Sequence, residues 1–352
     1  MKKLTALILA FVLVFSLCIG VSANAETATR EFTDDCGRTV MLPEKITKVA
    51  VSGPLAQIYV FPICPDNLVG FCSSYSEDAA KYINEKYLGL PELGQLYGGK
   101  GTMNLEEVLA AAPEVIIDVG EAKGTIVEDL DALTEQVGIP FVHIDATVAT
   151  AAEAYNRLGE LLGVSDKAEQ LSAWCSDMYG DLTAIMEKVD ADGARKKLAY
   201  CLGPEGLNVL AQGSFHAQPL NLVADNVAVI DDVVPSGLGN EIDMEQLMLW
   251  DPEYIVFAPD SIYDSVAEDA TWQGLTAIKN GNFYQTPYGP YGWLASPPAV
   301  QSYLGMMWLC SVLYPDYVDY DLHEKVTEYY DLFYGYDLTS DDYQSLTQGA
   351  LK

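Results

Sequence analysis

Residues 166–190 carry the sequence DKAEQLSAWCSDMYGDLTAIMEKVD, which decides how the rest of the chain is divided. Apolar side chains recur there at spacings of three and four from Leu171 to Val189, a pattern that predicts one long amphipathic helix. On both sides of it, short β-branched runs alternate with amphipathic helical patterns. Such alternation predicts parallel sheets flanked by helices, so the fold class is α/β, with two lobes joined by one long rigid helix.

The two alternating blocks can be assigned segment by segment. In the first block we predict strands over 48–52, 68–73, 115–119 and 141–145, with helices around 54–62, 77–87, 104–111 and 124–137. In the second block we predict strands over 198–202, 209–212, 254–258 and 283–286, with helices around 214–226, 243–250, 261–268, 272–280 and 297–313. A tail helix rich in tyrosine and phenylalanine is predicted over 322–335, packing back on a lobe.

Helix boundaries follow from short polar motifs. Thr150 with Glu153, and Asp166 with Glu169, have the spacing of capping boxes that open two successive helices. The D-x-D-G sequence after Val189 resembles the start of a calcium loop. It lacks the later oxygen ligands and the closing glutamate, so it predicts a helix stop instead.

The first residues indicate export. Lys2 and Lys3 precede a nearly continuous apolar run, which ends in Ala23-Asn24-Ala25. This order is typical of a signal peptide cleaved after Ala25. A retained membrane anchor is the alternative, because the apolar run is long enough for a thin bilayer. Lipidation at Cys18 is a third interpretation, although Leu17 replaces the small residue expected before such a cysteine.

We therefore expect four regions. They are a signal peptide over 1–25, a first α/β lobe over 26–164, a linking helix over 165–190, and a second α/β lobe with a C-terminal helix over 191–352. The formal net charge of −32 repels nucleic acid and anionic membranes, so nucleic-acid binding is not expected. We expect a monomer.

Residues with catalytic or metal-binding chemistry are sparse. The chain has no P-loop, HExxH, GxSxG or strand-linked GxGxxG motif. Of three histidines, His143 falls inside a predicted strand and is expected in the core, while His323 is expected at the surface. The cysteines beyond Cys18 show no metal-ligand spacing and are predicted to be mostly buried free thiols; Cys64 with Cys72 is the pair to test first for a disulfide. No enzyme activity, cofactor or directly bound metal is expected.

Glycine, serine and tyrosine concentrate in the loops at predicted strand ends. Glycine lets backbone N–H groups approach a ligand, and aromatic side chains give rigid surface with a polar tip. Such a cleft suits a bulky, partly apolar ligand with hydrogen-bonding groups. The predicted ligand-facing residues are Tyr75, Tyr97, Lys100, Ser214, His216, Tyr288, Tyr291 and Trp293.

Several ordered motifs resemble one family. These are 35–43 (DCGRTVMLP), 103–117 (MNLEEVLAAAPEVII), 243–256 (DMEQLMLWDPEYIV) and 272–284 (WQGLTAIKNGNFY). They resemble the substrate-binding proteins of ABC importers for ferric siderophores, haem and cobalamin, whose lobes are joined by a single helix. The resemblance covers about residues 31–335.

The resemblance implies partners and a ligand class. It implies docking on an ABC permease, with its ATPase, through one glutamate on each lobe, at Glu106 and Glu245. It implies a small-molecule metal complex as ligand, so iron or cobalt would arrive as part of the substrate. No arginine falls in a candidate cleft loop, which favours a hydroxamate siderophore, a corrinoid or haem over an anionic catecholate.

Two alternatives stay open at this point. A receptor for molybdate or tungstate would have the same fold and bind the oxyanion through backbone N–H groups. An exported hydrolase is the alternative from another functional class. The expected location is outside the cytoplasm, in the periplasm or at the cell surface, with a tether through Cys18 or the uncleaved apolar segment as an option.

Overall fold

The structure is a computed structural model, and it describes residues 28–96, 102–234, 236–295 and 297–352. The predicted signal peptide and the alternatives for it lie outside the described residues. Across the described ranges, no helix has both the length and the apolar character that crossing a membrane requires.

The first lobe contains a hairpin, a parallel sheet and the helices that cover it. Its elements are β1 (Thr29–Thr33), β2 (Thr39–Pro43), β3 (Val49–Val51), α1 (Pro54–Ile63), α2 (Glu77–Ala80), α3 (Leu105–Ala111), β4 (Val115–Gly120), α4 (Ile126–Val137), β5 (Phe141–Asp145) and α5 (Ala151–Leu162). β1 and β2 are antiparallel, whereas β3, β4 and β5 form a parallel sheet in that order. One face of this sheet packs on the main core and the other on a smaller core with α3 and α4.

The long linking helix is confirmed as α6 (Ser165–Ala191), with 27 residues and a length of about 40 Å. Its apolar face is buried along its length, and the ring of Trp174 packs on Tyr303 of the second half with 5.9 Å between ring centroids. The D-x-D-G stop is borne out, because the helix ends before Asp192, whose carboxylate accepts a hydrogen bond from Tyr317. One continuous helix therefore connects the two lobes.

The second lobe is built on a mixed sheet. Its elements are β6 (Lys197–Leu202), β7 (Asn208–Val209), α7 (Gln218–Val223), β8 (Asp225–Asn226), β9 (Asn240–Glu241), α8 (Met244–Trp250), β10 (Tyr254–Phe257), α9 (Tyr263–Val266), α10 (Thr276–Lys279) and β11 (Phe283–Gln285). The strand order is β11-β10-β6-β7-β9, with β8 also paired to β6. β8, β10 and β11 run parallel to their partners, while β7 is antiparallel to β6 and to β9.

The C-terminal helices are α11 (Ser302–Leu313), α12 (Leu322–Tyr334) and α13 (Ser340–Leu346). The predicted tail helix is thus present as α12. It packs on the first lobe, where the Tyr334 ring lies 6.0 Å from that of Phe61 in α1. The Tyr330 ring lies 4.9 Å from that of Tyr82. The end of the chain therefore ties the second half back onto the first lobe.

Some local predictions were wrong. Neither capping box forms: the Thr150 side chain bonds with Thr147 instead, and Asp166 lies inside the first turn of α6. The segment 68–73 is not a regular strand; only isolated bridges join it to β3 and to Glu92. Predicted helices over 77–87 and 214–226 break into short α and 3-10 turns. Short segments lack the internal hydrogen bonds that would outweigh local turn preferences.

The β1–β2 hairpin was not predicted, and it is held by charged side chains of its connecting turn. Arg38 pairs with Asp34 at 3.0 Å and donates to the carbonyl of Phe141 on β5. Asp35 accepts from the backbone N–H of Asp145 at 2.9 Å, and Arg157 of α5 pairs with Asp35 at 3.0 Å. The turn thus extends the edge of the parallel sheet through side chains.

Candidate ligand-binding site

Tyr75 and Tyr291 come from strand ends of two different lobes. Leu68 bridges to Val49 in the parallel direction, so the chain leading to Tyr75 leaves the first sheet at its carboxyl edge. β11 runs parallel to β10, and the loop that carries Tyr291 follows its carboxyl end. Ligands of open α/β sheets bind outside this edge. Both tyrosines therefore lie where a ligand is expected.

The two tyrosines contact each other directly. The Tyr291 hydroxyl donates to the Tyr75 hydroxyl at 3.1 Å, and the two ring centroids are 5.8 Å apart in an edge-to-face arrangement. Tyr75 also packs edge-on against Phe71, with 5.2 Å between centroids. This contact joins residues that are 216 positions apart in the sequence.

Gln57 completes this cluster, and the sequence analysis missed it. Its Nε2 donates to the Tyr291 hydroxyl at 2.8 Å, while its Oε1 accepts from the backbone N–H of Cys72 at 2.7 Å. Both ends of the amide are satisfied, which fixes its orientation. A signal was available, since Gln57 is the polar residue within the fully buried stretch 56–63 of an otherwise apolar helix. A buried amide on an apolar helix face indicates a specific polar partner.

The loop that carries Tyr291 is held in place by close packing and by hydrogen bonds. Gly289 has φ +151°, and a Cβ there would come within 2.6 Å of the Tyr82 ring, so glycine is required. The buried Tyr330 hydroxyl of α12 donates to the Gly289 carbonyl. The backbone N–H of Trp293 donates to the Pro287 carbonyl at 3.0 Å. These contacts give Tyr291 a fixed support.

Burial keeps both hydroxyls protonated at ordinary pH. It raises the pKa of Tyr75 to about 12, partly offset by hydrogen bonds from Tyr291 and Gln57. It raises the pKa of Tyr291 well above its usual range, with Tyr75 adding to the effect. The cluster consists of neutral hydrogen-bonding groups, with phenol hydroxyls and an amide.

Ser214 and His216 contact neither Tyr75 nor Tyr291 among the hydrogen bonds and ring contacts of the described residues. The buried Ser214 hydroxyl accepts from the backbone N–H of His216 at 3.2 Å and caps a short 3-10 turn. His216 Nδ1 lies 3.0 Å from the carbonyl oxygen of Ala295. Burial lowers the pKa of His216, and the Ala295 carbonyl opposes this effect. The loop of Ser214 and His216 follows β7, which runs antiparallel to β6, so it does not start from the carboxyl edge of the parallel strands.

The other predicted residues are not drawn into this cluster. Tyr288 is 46% exposed, whereas Trp293 is fully buried in the main core and presents no exposed surface. In the described conformation Trp293 therefore supports the loop. Tyr97 and Lys100 lie outside the described residues.

The arginines lie away from this cluster, whereas the Glu92 carboxylate accepts from the backbone N–H of Ser74 at 2.9 Å, next to Tyr75. Arg30 donates to the Leu161 carbonyl at 2.5 Å, Arg38 and Arg157 hold the hairpin, and Arg195 pairs with Asp190 at 2.7 Å.

Within the described residues, no group of three or more His, Cys, Asp or Glu side chains could hold a metal ion. His143 is buried in the first sheet, as predicted, with Nδ1 2.7 Å from Asp118. The six cysteines from Cys36 onward are free thiols, so Cys64 and Cys72 form no disulfide here.

Glu106 and Glu245 occupy equivalent positions on two short helices, one in each lobe. Asn104 begins α3 and Asp243 begins α8, and each side chain accepts from a backbone N–H three residues later, at 3.3 and 2.7 Å. Both glutamates are exposed one residue inside their helix. The two lobes therefore each present one carboxylate on a matching helix.

A sequence model of the family described as "Periplasmic binding protein" matches residues 56–288, which include parts of both lobes and all of α6. The chain belongs to this family. Its members are substrate-binding proteins, so this periplasmic binding protein is an extracytoplasmic component of an ABC importer and not an enzyme. The family implies an ABC permease as partner.

Relatives of this periplasmic binding protein support the same fold. It is 24% identical over 339 residues to the molybdate-binding protein MolA of Haemophilus influenzae, covering 87% of this chain and 91% of the relative. An ABC transporter solute binding protein from Sulfurospirillum deleyianum matches with 27% identity, a TM-score of 0.83, and 91% and 99% of the two chains covered. A periplasmic solute binding protein from Veillonella parvula matches with 22% identity, a TM-score of 0.72, and 92% and 98% covered. These likenesses confirm the two-lobe architecture with one linking helix.

Proposed function

We propose that this periplasmic binding protein captures a small oxyanion, such as molybdate or tungstate, at the Tyr75–Tyr291 contact and delivers it to its permease. The observation that carries the proposal is the chain of hydrogen bonds from Gln57 through Tyr291 to Tyr75, which joins the strand ends of both lobes. Protonated hydroxyls and an amide N–H can all donate to oxyanion oxygens.

Size and charge support an oxyanion as the first candidate. The two hydroxyl oxygens are 3.1 Å apart, so a small ligand needs only a modest separation of the tyrosines. Hydrogen bonds to an ionised acceptor are stronger than neutral ones, so neutral donors can hold an anion without arginine. The relative named as a molybdate-binding protein is consistent with this class.

A metal chelate is the second candidate, favoured by the aromatic surface. Tyr75 and Tyr291 offer ring faces as well as hydroxyls, and Tyr288 is exposed nearby in sequence. A hydroxamate siderophore, a corrinoid or haem would use this surface. Such a ligand requires the Tyr75–Tyr291 contact to open, because the contact leaves no space between the two hydroxyls.

Isothermal titration calorimetry with a ligand panel tests the proposal. The panel contains molybdate, tungstate, sulfate, a ferric hydroxamate, a corrinoid and haem. We expect saturable binding of molybdate or tungstate, and a loss of about tenfold or more in affinity for Tyr75→Phe and Tyr291→Phe. Tyr317→Phe, which removes a hydroxyl bonded to Asp192, is the matched control and should bind normally.

The outcomes separate the candidates. Binding of a chelate alone would replace the first candidate by the second, and binding of no panel member would refute both ligand classes. Recovery of the ligand unchanged is expected, because a receptor releases what it binds.

Docking through Glu106 and Glu245 is the second part of the proposal. One exposed carboxylate on each lobe can form charge-assisted pairs with cationic side chains of the permease. We expect Glu106→Lys and Glu245→Lys to abolish uptake and leave ligand affinity unchanged. Glu107→Lys is the control, since the equivalent position in the second lobe is Gln246 and needs no carboxylate. A loss of ligand affinity in the first two variants would contradict a docking role.

Attachment to the cell rests on the first 25 residues. Cleavage after Ala25 gives a mature chain that begins at Glu26, whereas lipidation gives one that begins at a modified Cys18. Intact mass measurement of the exported protein distinguishes these two forms and the uncleaved chain. A mass that starts at Glu26 supports a free receptor, and a lipid-modified Cys18 would overturn it.

A further inference from the structure

The helices α3 and α8 belong to the same structural unit, repeated once in each lobe. Each ends at a non-glycine residue with positive φ, Ala112 at 50° and Asp251 at 39°, and continues through a proline into a strand. Their burial patterns also match, since Val108 and Leu247 are the fully buried residues of the two helices. Positions can therefore be compared one by one between the lobes.

One exposed position differs strongly between the two copies. Leu249 is 79% exposed on α8, and its equivalent on α3 is the exposed Ala110. Both lie four residues after the docking glutamates, so they share the outward face of the helix with Glu245 and Glu106. Because alanine fills this position in the first lobe, the shared unit does not need a leucine for its own packing.

An apolar groove lies beside α8. Its volume is about 610 Å³, and it is lined by the apolar side chains of Val229, Ile230, Ile242 and Trp250, the carboxylates of Glu241 and Asp243, and the amide of Gln246. Val229 is itself 65% exposed. The groove combines apolar side chains with carboxylates, which suits a partner that offers apolar and cationic side chains.

We propose that Leu249 and the groove beside α8 bind the permease, so that the second lobe makes an apolar docking contact at a position where the first lobe has only Ala110. The proposal rests on the proposed docking of the second lobe on the permease, because Leu249 lies one helical turn after the exposed Glu245. It gives the two lobes unequal roles: charge pairs form at both, while the apolar contact fixes which lobe meets which part of the permease. A second copy of this chain is a poorer occupant. It would bring Glu241, Asp243 and Glu245 against like charges in a protein of net charge −32.

Reciprocal variants between the two copies test this inference. Leu249→Ala places in the second lobe the residue that the first lobe has at the equivalent position, and alanine is a good helix former. We expect it to weaken binding of the full receptor to the cognate permease–ATPase complex in lipid nanodiscs by about tenfold, from lost apolar burial. Val229→Ser should weaken binding in the same direction. Met41→Ser, at a 53% exposed position on β2, is the control and should bind like the wild type.

The outcomes separate the apolar contact from the glutamate contacts and from the ligand site. Wild-type affinity in Leu249→Ala would overturn the inference, as would a dimer of the free receptor that this substitution dissociates. Unchanged docking in Glu106→Lys and Glu245→Lys, with weakened docking in Leu249→Ala, would refute the glutamate role and leave the apolar contact standing. Ligand affinity, measured in parallel by calorimetry, should stay unchanged in all of these variants; a loss would place Leu249 in the ligand site and overturn the inference.

Discussion

Glu114 and Glu253 make the same connection in the two lobes. Glu114 follows α3 and its Oε2 accepts from the backbone N–H groups of Thr47 and Lys48, at 2.5 and 3.0 Å. Glu253 follows α8 and its Oε2 accepts from the backbone N–H of Lys197 at 3.0 Å. In each lobe the glutamate N–H also donates to the carbonyl of that lysine, Lys48 or Lys197. Each glutamate thereby joins the segment after its helix to the start of a strand, β3 in the first lobe and β6 in the second.

Removing Glu114 should destabilise the protein more than removing Glu253. Glu114 accepts two backbone N–H groups and the Thr47 hydroxyl, whereas Glu253 accepts one N–H group. We expect Glu114→Ala to lower the free energy of unfolding by about 2 kcal/mol. Glu253→Ala should lower it by less. Urea denaturation followed by circular dichroism checks the order, and equal losses would contradict it.

Tyr330→Phe should weaken both the fold and ligand binding. It leaves the Gly289 carbonyl without its buried hydroxyl donor, which costs about 1–2 kcal/mol, and it loosens the loop that carries Tyr291. We expect lower stability in urea and a lower ligand affinity by calorimetry. Tyr336→Phe is the control, since its hydroxyl contacts Asp342 away from this loop. Unchanged affinity in Tyr330→Phe would show that the loop is positioned by other contacts.

Asp118 should matter for stability more than its neighbour Ser52. Asp118 accepts from the Ser52 hydroxyl and lies 2.7 Å from His143, and all three are buried. Asp118→Ala leaves two buried polar groups without this partner, so we expect a loss of about 3 kcal/mol. Ser52→Ala removes one interaction and should cost about 1 kcal/mol. Unfolding in urea measures both, and a larger loss for Ser52→Ala would refute this arrangement.

His216 should make stability depend on pH below neutrality. Burial lowers its pKa from the ordinary value of 6.5, so the folded protein binds this proton less readily than the unfolded chain does. Its contribution is complete above about pH 6.5 and is lost as the pH falls through the lowered pKa. The difference in unfolding free energy between wild type and His216→Gln should therefore shrink from pH 7 to pH 5. The acidic residues are common to both proteins, so their effect cancels in this difference. Parallel plots of unfolding free energy against pH would contradict the prediction.

The long helix should limit how far the lobes move on binding. α6 is continuous over 27 residues, and its face is packed against elements of both lobes. A single packed helix resists bending more than extended crossing segments do, so closure should be modest. Small-angle scattering should show a nearly constant radius of gyration on ligand addition. A change of several ångströms would contradict this prediction.

Much of the fold could be predicted from local patterns. The bounds of α1, α4, β5 and α6 fall within two residues of the predicted segments, since α4 and α6 are amphipathic over their own length and α1 and β5 are mostly apolar runs. The β1–β2 hairpin escaped prediction because its antiparallel pairing is short and its turn depends on distant partners, Arg157 for Asp35 and the Phe141 carbonyl for Arg38. The segment 68–73 has the composition of a strand, but its neighbours provide only isolated bridges.

The candidate site was predicted only in part. The loops of Tyr75 and Tyr291 could be found from glycine and tyrosine at strand ends. Their pairing could not, and neither could the role of Gln57, whose partners lie 15 and 234 residues away. Trp293 was chosen for its chemistry, yet packing around α11 and α12 buries it fully.

The sequence by itself determined the alternation of strands and helices, the single long helix between two α/β lobes, and the matching units that carry Glu106 and Glu245. These depend on periodicity and neighbouring residues, which act over a few turns of chain. Only the tertiary structure decided that Tyr75 meets Tyr291, that Gln57 orients them, and that Leu249 stands exposed where Ala110 does in the other lobe. Those relationships depend on how distant elements pack, because a side chain's burial and partners are set by whatever the whole fold brings beside it.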